Sequence, residues 1–418
     1  MIYNESKYNQ QWGTKKLSDL GRFERGKSKH RPRNDERLFE GGGYPLIQTG
    51  EIKDANLYIT HHGQEYGEFG LNQSKLWNAE TLCITIAANI AETALLSYPM
   101  CFPDSVVGFK AYKDASSEKF MYYVFEYIRR SIQNSVTGSI QDNINIEYLT
   151  SLTFKIPSKK IQDTIVSLLS AIDEKILINT KINDYLEEMA KTIYDYWFVQ
   201  FDFPGENGKP YKSSGGPFKN GLPIGWNYVP IKNICNILSG FPFQSDDYVQ
   251  NGKYKLLTIK NVQDTGINLD VDNYISILPE NMPEFCKLDI GSILMSLTGN
   301  VGRVGILYDS NCLLNQRVSL MQAKNPIIAP FIYCLLKSSK MRYILESLAT
   351  GTSQKNLSPI EAGKIMIPYD SEIIKDFSIK VTPLIDSIIT NLKENNNLTD
   401  LRNWLLPMLM NGQAAIED

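Results

Sequence analysis

Residues 161–201 read IQDTIVSLLSAIDEKILINTKINDYLEEMAKTIYDYWFVQF. Apolar residues recur at Ile161, Ile165, Leu168, Ile172, Ile176, Ile182, Leu186, Met189 and Ile193, mostly in steps of three and four. That is the period of a helix with one apolar seam. No Pro or Gly interrupts the run; Pro157 lies just upstream and Pro204-Gly205 close it. At ~1.5 Å per residue the stretch makes a rod of roughly 60 Å, far longer than the average helix of about 11–12 residues. A lone rod with one seam needs a partner. Phe377–Met410 supplies one, with Val381, Ile385, Ile388, Leu392, Leu398, Leu401, Leu405 and Met408 in the same rhythm.

Outward from these helices the chain repeats itself. Trp12 opens one half and Trp226 the other. Residues 44–50 (YPLIQTG) pair with 254–260 (YKLLTIK), 81–86 (TLCITI) with 292–297 (SILMSL), and 137–144 (TGSIQDNI) with 350–357 (TGTSQKNL). Phe154-Lys155-Ile156-Pro157 matches Met366-Ile367-Pro368 ahead of each long helix. These matches share one order and nearly one offset, the mark of a tandem duplication. The expected organisation is a mixed, β-rich domain over 1–157, a spacer helix over 158–203, a Pro/Gly/Ser-rich linker over 204–222, a second domain over 223–368 and a second spacer helix over 369–418. Strand-sized runs fall at 82–87, 105–112, 256–259 and 292–297, and helical periods at 120–132 and 331–348. The fold class is therefore α+β: two β-rich domains in tandem, spaced by two long antiparallel coiled-coil helices with a pseudo-two-fold relation.

Composition bounds the function. The 418 residues suffice for two cores, and 43% hydrophobic with 21% charged content is ordinary for a globular protein. No apolar run reaches the ~18–20 residues of a membrane span, and the N-terminus lacks the apolar stretch of a signal peptide. Six scattered cysteines without a C-x-x-C pair point to reduced thiols in the cytoplasm. Three histidines are too few for a His-based metal site. With a net charge of −3, any basic surface must be local.

Two function classes compete with DNA reading. Gly21–Ser28 (GRFERGKS) satisfies the P-loop pattern, which would make a nucleotide-binding enzyme. However, KKLSDL before it is a poor buried strand, HRPRND after it a poor helix, and the repeat copy around Gly240 has no Gly-Lys-Ser. A non-DNA scaffold is the other class. Glu51-Ile52-Lys53 is not repeated at 261–263, and G-x-S-x-G, H-E-x-x-H, G-x-G-x-x-G and Asn/Asp-Pro-Pro-aromatic motifs are all missing. No catalytic residue is assigned.

What remains is binding chemistry. Residues 15–37 concentrate base, and Arg25, Lys27, Lys29, Arg31 and Arg33 are the residues expected to neutralise phosphates. In the duplicated Thr-Gly loops, Ser139, Gln141 and Asn143, and Thr352, Ser353, Gln354, Lys355 and Asn356, combine small hydroxyls with amides that suit phosphate and adenine. Gln48 and Thr49, Thr258, Lys260 and Asn261, Asn300 and Arg303, and Gln316 and Arg317 complete the DNA-facing candidates. Tyr194, Trp197, Phe198 and Trp404 are the aromatics expected to dock a protein partner.

The chain resembles the DNA specificity subunit of Type I restriction–modification systems. The resemblance rests on Trp12 with Leu17-x-Asp19-Leu20, on Ile224-Gly225-Trp226, on both T-G-[ST] loops, on DYWFVQFDFP at 195–204 and on LLPMLMNG at 405–412. It spans essentially the whole chain. It implies two target-recognition domains, each reading one half of a bipartite asymmetric site in double-stranded DNA, with the helices as spacer. A rod under about 60 Å would bridge half-sites roughly one turn, ~34–36 Å, apart. It further implies two methyltransferase subunits using S-adenosylmethionine and two restriction subunits, the translocase–nucleases driven by ATP and Mg, with no cofactor in this chain. Residues 86–89 (IAAN) depart from their counterpart 297–300 (LTGN), so the two domains are expected to touch DNA differently there.

Overall fold

The computed structural model describes residues 2–87, 89–137, 144–205, 208–351 and 355–414. Two compact units emerge, Met1–Ile178 with Asn396–Asp418, and Asn179–Asn395.

In the first unit, strands Gly21–Arg25, Val106–Ala111, Leu82–Thr85, Thr93–Leu96 and Tyr58–Ile59 lie side by side in that order. All neighbours are antiparallel except the last pair. A second sheet orders Gln64–Tyr66, Tyr44–Leu46, Met100–Cys101 and Leu76–Trp77, with a parallel pairing of Leu46 and Cys101. The central strands Leu82–Thr85 and Thr93–Leu96 are buried throughout, so they read as continuous apolar runs without alternation. Helix Glu118–Thr137 covers the first sheet with Phe120, Tyr123, Phe125 and Ile128.

The second unit repeats the plan. Strands Cys235–Ser239, Val318–Ala323, Ile293–Ser296 and Val304–Ile306 form an antiparallel sheet. In the other sheet Tyr254–Leu257 runs parallel to Cys312–Leu314, matching the Leu46/Cys101 pairing of the first unit. The expected single helix over 331–348 is two, Ala329–Lys337 and Ser339–Leu348. Ser338 separates them: its extended backbone ends one helix while its side chain accepts from the Met341 amide and starts the next.

The long helices are Lys159–Tyr194, continued by a π-turn over Asp195–Val199, and Ser371–Met410. Each contributes one part to each unit. Within the first unit Asp173 accepts from Arg402 Nη1 (2.8 Å), while Ile165 and Leu169 share a core with Leu406, Leu409 and Met410. Within the second, Asn391 donates to Asn183 (2.8 Å) and Asn179 to Glu394 (2.6 Å) and Asn395 (3.0 Å). In both units rising numbers on one helix meet falling numbers on the other, so the pairing is antiparallel.

The seam differs from the expected one. Ile165, Ile172 and Ile176 are buried, but Ile161, Leu168, Ile182 and Met189 are exposed. Buried instead are Leu169, Asp173, Asn179, Asn183 and Ala190. Burying an asparagine is costly unless its amide is hydrogen-bonded, as those of Asn179 and Asn183 are here, and such polar layers restrict the register. Period alone picks the helix but not which of two apolar faces turns inward.

Three proposed docking aromatics also turn inward. Tyr194, Trp197 and Phe198 are each under 8% exposed and pack on Phe331, Phe377 and Trp226. The π-turn, closed by the Gln200 amide on the Asp195 carbonyl, lets neighbours Trp197 and Phe198 both face the core. Trp404 remains exposed. The stretch expected as linker is likewise packed: Phe203 stacks on Tyr211 and Trp226, and Asp202 accepts from the Ser213 amide and hydroxyl.

Candidate nucleic-acid interface

A shared backbone node lies at one set of strand ends in each unit. In the first, Gly26 N–H donates to Val106 (2.8 Å), Lys27 to Phe102 (3.2 Å), Ile86 to Ser105 (3.0 Å) and Ile144 to Ile86 (3.1 Å). In the second, Gly240 donates to Val318 (3.0 Å), Phe241 to Leu314 (2.9 Å), Leu297 to Arg317 (3.1 Å) and Leu357 to Leu297 (2.8 Å). The four bonds are equivalent at the offset of the sequence repeat. The duplication therefore extends to the hydrogen-bond pattern.

The node explains the misleading glycine. A Cβ on Gly26 would sit 2.2 Å from the Pro103 carbonyl oxygen, and one on Gly240 2.3 Å from that of Asn315. Both glycines are required by this backbone crossing. Gly26-Lys27-Ser28 follows an edge strand and runs into loop, the next helical element being the short turn Glu36–Leu38. It therefore lacks the strand-to-helix geometry that cradles phosphate.

Lys27 belongs to the first node, Lys29 N–H donates to the Gln73 carbonyl (3.0 Å), and the Ile47 amide on the Cys101 carbonyl (3.0 Å) brings the chain into Gln48 and Thr49 beside the Phe102 end of the node. Arg25 Nε donates to the Asp104 carbonyl (2.7 Å), and the Asp104 carboxylate accepts from Arg33 Nη2 (2.5 Å) and Arg31 Nη2 (3.4 Å). Arg37 grips Asp35 at 2.7 Å, and His30 meets the same carboxylate. Hydrogen bonds from Arg37 first, and His30 next, hold the Asp35 carboxyl well below the usual carboxylate range. Lys27 and Lys29 form no ion pair among the described residues.

The second node joins candidates far apart in sequence. Leu297–Asn300 runs between Gln316-Arg317 and Lys355-Asn356: Gly299 N–H donates to the Lys355 carbonyl (2.9 Å), and Thr298 Oγ1 to Asn356 Oδ1 (2.5 Å). The Asn315 amide bonds the Leu257 carbonyl, bringing Thr258 and Lys260 to the same strand ends. Gln316, Arg317, Lys355 and Asn356 are exposed. Lys260 is exposed and pairs with Asp272.

Two candidates prove to be structural. Asn261 is buried; its amide donates to the Asn268 and Asp270 carbonyls while its oxygen accepts from Thr258 N–H and Oγ1, so no polar atom is left for a ligand. Arg303 is held by Asp264 (2.6 Å), and its guanidinium faces the Asn300 side-chain amide, whose oxygen accepts from it only when that amide is turned over. Ser139, Gln141, Asn143, Thr352, Ser353 and Gln354 lie outside the described residues. Asp104 escaped sequence reasoning although it occupies the repeat position of Gln316; extending the duplication across 100–106 and 312–318 locates it.

The family profile described as Type I restriction modification DNA specificity domain matches residues 9–188 and again 223–399. The chain belongs to that family. Its two units each carry one specificity domain. Among curated relatives, the Type I restriction enzyme MjaIX specificity subunit of Methanocaldococcus jannaschii is 24% identical, over 97% of this chain and 94% of that one. The HindI specificity subunit of Haemophilus influenzae is 23% identical over 69% and 74%. A crystal structure of the Type I S subunit from M. genitalium covers 100% of both chains at a TM-score of 0.57 and 17% identity, which shows a common fold. The chain is thus a Type I restriction–modification specificity subunit with two DNA-specificity domains in tandem, and the P-loop and scaffold readings fall away.

Proposed function

We propose that each specificity domain reads one half of a bipartite, asymmetric site in double-stranded DNA, through the strand-end node described above. The observation that carries this reading is the node itself: the same four backbone bonds present different side chains at equivalent positions. Lys27 and Asp104 stand in the first domain where Phe241 and Gln316 stand in the second. A conserved frame with exchanged side chains is what two domains reading different sequences require. The long helices act as spacer between the half-sites.

The same helices dock two methyltransferase subunits. The outward face of the first helix supports this, since Ile161, Leu168, Ile182 and Met189 recur there at multiples of seven, with Ile178 and Tyr185 at the intervening heptad position, and Tyr196 and Val199 are exposed in the π-turn that follows. This exposed stripe has the a/d spacing of a helix awaiting another helix. Trp404 is a further exposed aromatic on the second helix. Methylation with S-adenosylmethionine, and ATP- and Mg-dependent translocation and cleavage by two restriction subunits, are assigned to partners; this chain is non-catalytic and acts in the cytoplasm. Among the described residues no helix is long and apolar enough to cross a membrane.

The test is to co-express the chain with its methyltransferase and sequence the methylated adenines. Two short, unlike blocks separated by a constant unread gap are expected. A single contiguous motif would overturn the two-domain reading.

A further inference from the structure

Three arginines of the first domain converge on one aspartate. Arg25 donates to the Asp104 carbonyl at 2.7 Å, and Arg33 and Arg31 to its carboxylate at 2.5 and 3.4 Å. Arg31 is fixed further by Nη1 bonds to the Ser28 (2.6 Å) and His30 (2.8 Å) carbonyls. Both guanidinium side chains are nevertheless about half exposed, at 53% and 51%. Exposed ion pairs contribute little stability, so the consequences lie elsewhere. An exposed arginine ordinarily samples many rotamers, whereas these two are held in one orientation: Arg31 spends both Nη1 hydrogens and one Nη2 hydrogen on its partners and keeps Nε–H with the other Nη2–H, and Arg33 spends one Nη2 hydrogen on Asp104. The aspartate also cancels one of the two positive charges and repels any phosphate brought close. A guanidinium fork with a carboxylate behind it is poorly suited to the DNA backbone. It is well suited to an uncharged, planar pair of acceptors, of which guanine O6 and N7 in the major groove are the matching case.

We propose that Asp104 is a positioning residue for base recognition, holding Arg31 and Arg33 to read guanine in the half-site of the first domain. This rests on the reading of each domain as a half-site reader. The equivalent position in the second domain is Gln316, with Arg317 beside it where the first domain has Ser105. The device is therefore confined to one domain, and the other serves as an internal control.

The test uses the full chain in complex with its methyltransferase, comparing wild type, Asp104→Asn and Arg33→Lys. Selectivity is read twice, from methylated sites and from competition gel shifts with each half-site randomised in turn. Asp104→Asn keeps the shape and removes the charge. Arg33→Lys keeps the charge and removes the fork. Both are expected to relax one block at a G·C pair by roughly tenfold, with the other block and the gap unchanged. Asp104→Asn should also raise affinity for unrelated DNA at low salt. If Arg33→Lys weakens all sequences evenly, or if neither change alters any base preference, the proposal is overturned while the two-block motif of the wild type still stands. Failure of the wild type itself to give two blocks would instead remove the half-site reading.

Discussion

Arg402 reaches the carboxylate of Asp173, whose side chain is 1% exposed and which also accepts from Tyr123 Oη at 2.7 Å. Burial costs a charge heavily unless it is paired. Arg402→Ala is therefore expected to destabilise the first unit by about 3–5 kcal/mol in urea unfolding. Replacing the pair together, as Asp173→Leu with Arg402→Met, should restore part of the loss, since the stranded charge is then gone while the Tyr123 hydroxyl loses its acceptor. Gly26→Ala and Gly240→Ala should each cost about 1–3 kcal/mol by overpacking against a backbone carbonyl, and Lys27→Ala close to nothing. An unfolding midpoint for Lys27→Ala well below wild type would contradict the half-buried placement of that lysine without an ion pair among the described residues. At this scale the residue type was legible and its partner was not. Asn261 and Arg303 have the chemistry of DNA contacts, yet the fold spends every polar atom of Asn261 on a loop and ties Arg303 to Asp264.

The long helix from Lys159 offers two apolar faces, and which one is free decides what a substitution does. Trp197→Ala removes a ring packed on Phe377 and should cost about 3–5 kcal/mol. Met189→Glu lies on the exposed stripe and should change stability by no more than about 0.5 kcal/mol, while abolishing co-purification with the methyltransferase. The two measurements together separate folding from docking. Normal assembly by Met189→Glu would move the docking surface elsewhere. The stripe was present in the sequence as part of the expected seam. Ile161, Leu168, Ile182 and Met189 keep heptad time with one another, whereas Ile165, Leu169, Ile172 and Ile176 run on the adjoining face. A one-dimensional period blends the two. Only packing against the domain and the second helix separates them.

For the molecule as a whole, the spacer reading makes a geometric prediction. Deleting seven residues from each helix keeps the heptad phase of both faces and removes about 10 Å of helix. The unread gap of the methylated motif should then shorten while both blocks persist. Changed blocks with an unchanged gap would mean the helices do not measure the site. DNA affinity should also fall with salt by roughly 0.9 log units per log unit for each phosphate neutralised. Removing Lys29, exposed and without an ion pair among the described residues, should lower that slope by about one contact.

The sequence by itself determined the duplication, the two long helices and the approximate strands, because these follow from local period and from similarity between halves of one chain. The apolar runs Leu82–Ala87 and Ser292–Leu297 end within two residues of the observed strands. It also delivered the family, through motifs whose order is more specific than any of them singly. Tertiary structure alone decided what the long-range partners settle: that Tyr194, Trp197 and Phe198 are core, that asparagines hold the helix pair, and that Asp104 gathers three arginines from a strand end and the loop after it, more than seventy residues away. Burial and charge pairing depend on neighbours brought together by folding, and no periodicity along the chain encodes which neighbour arrives.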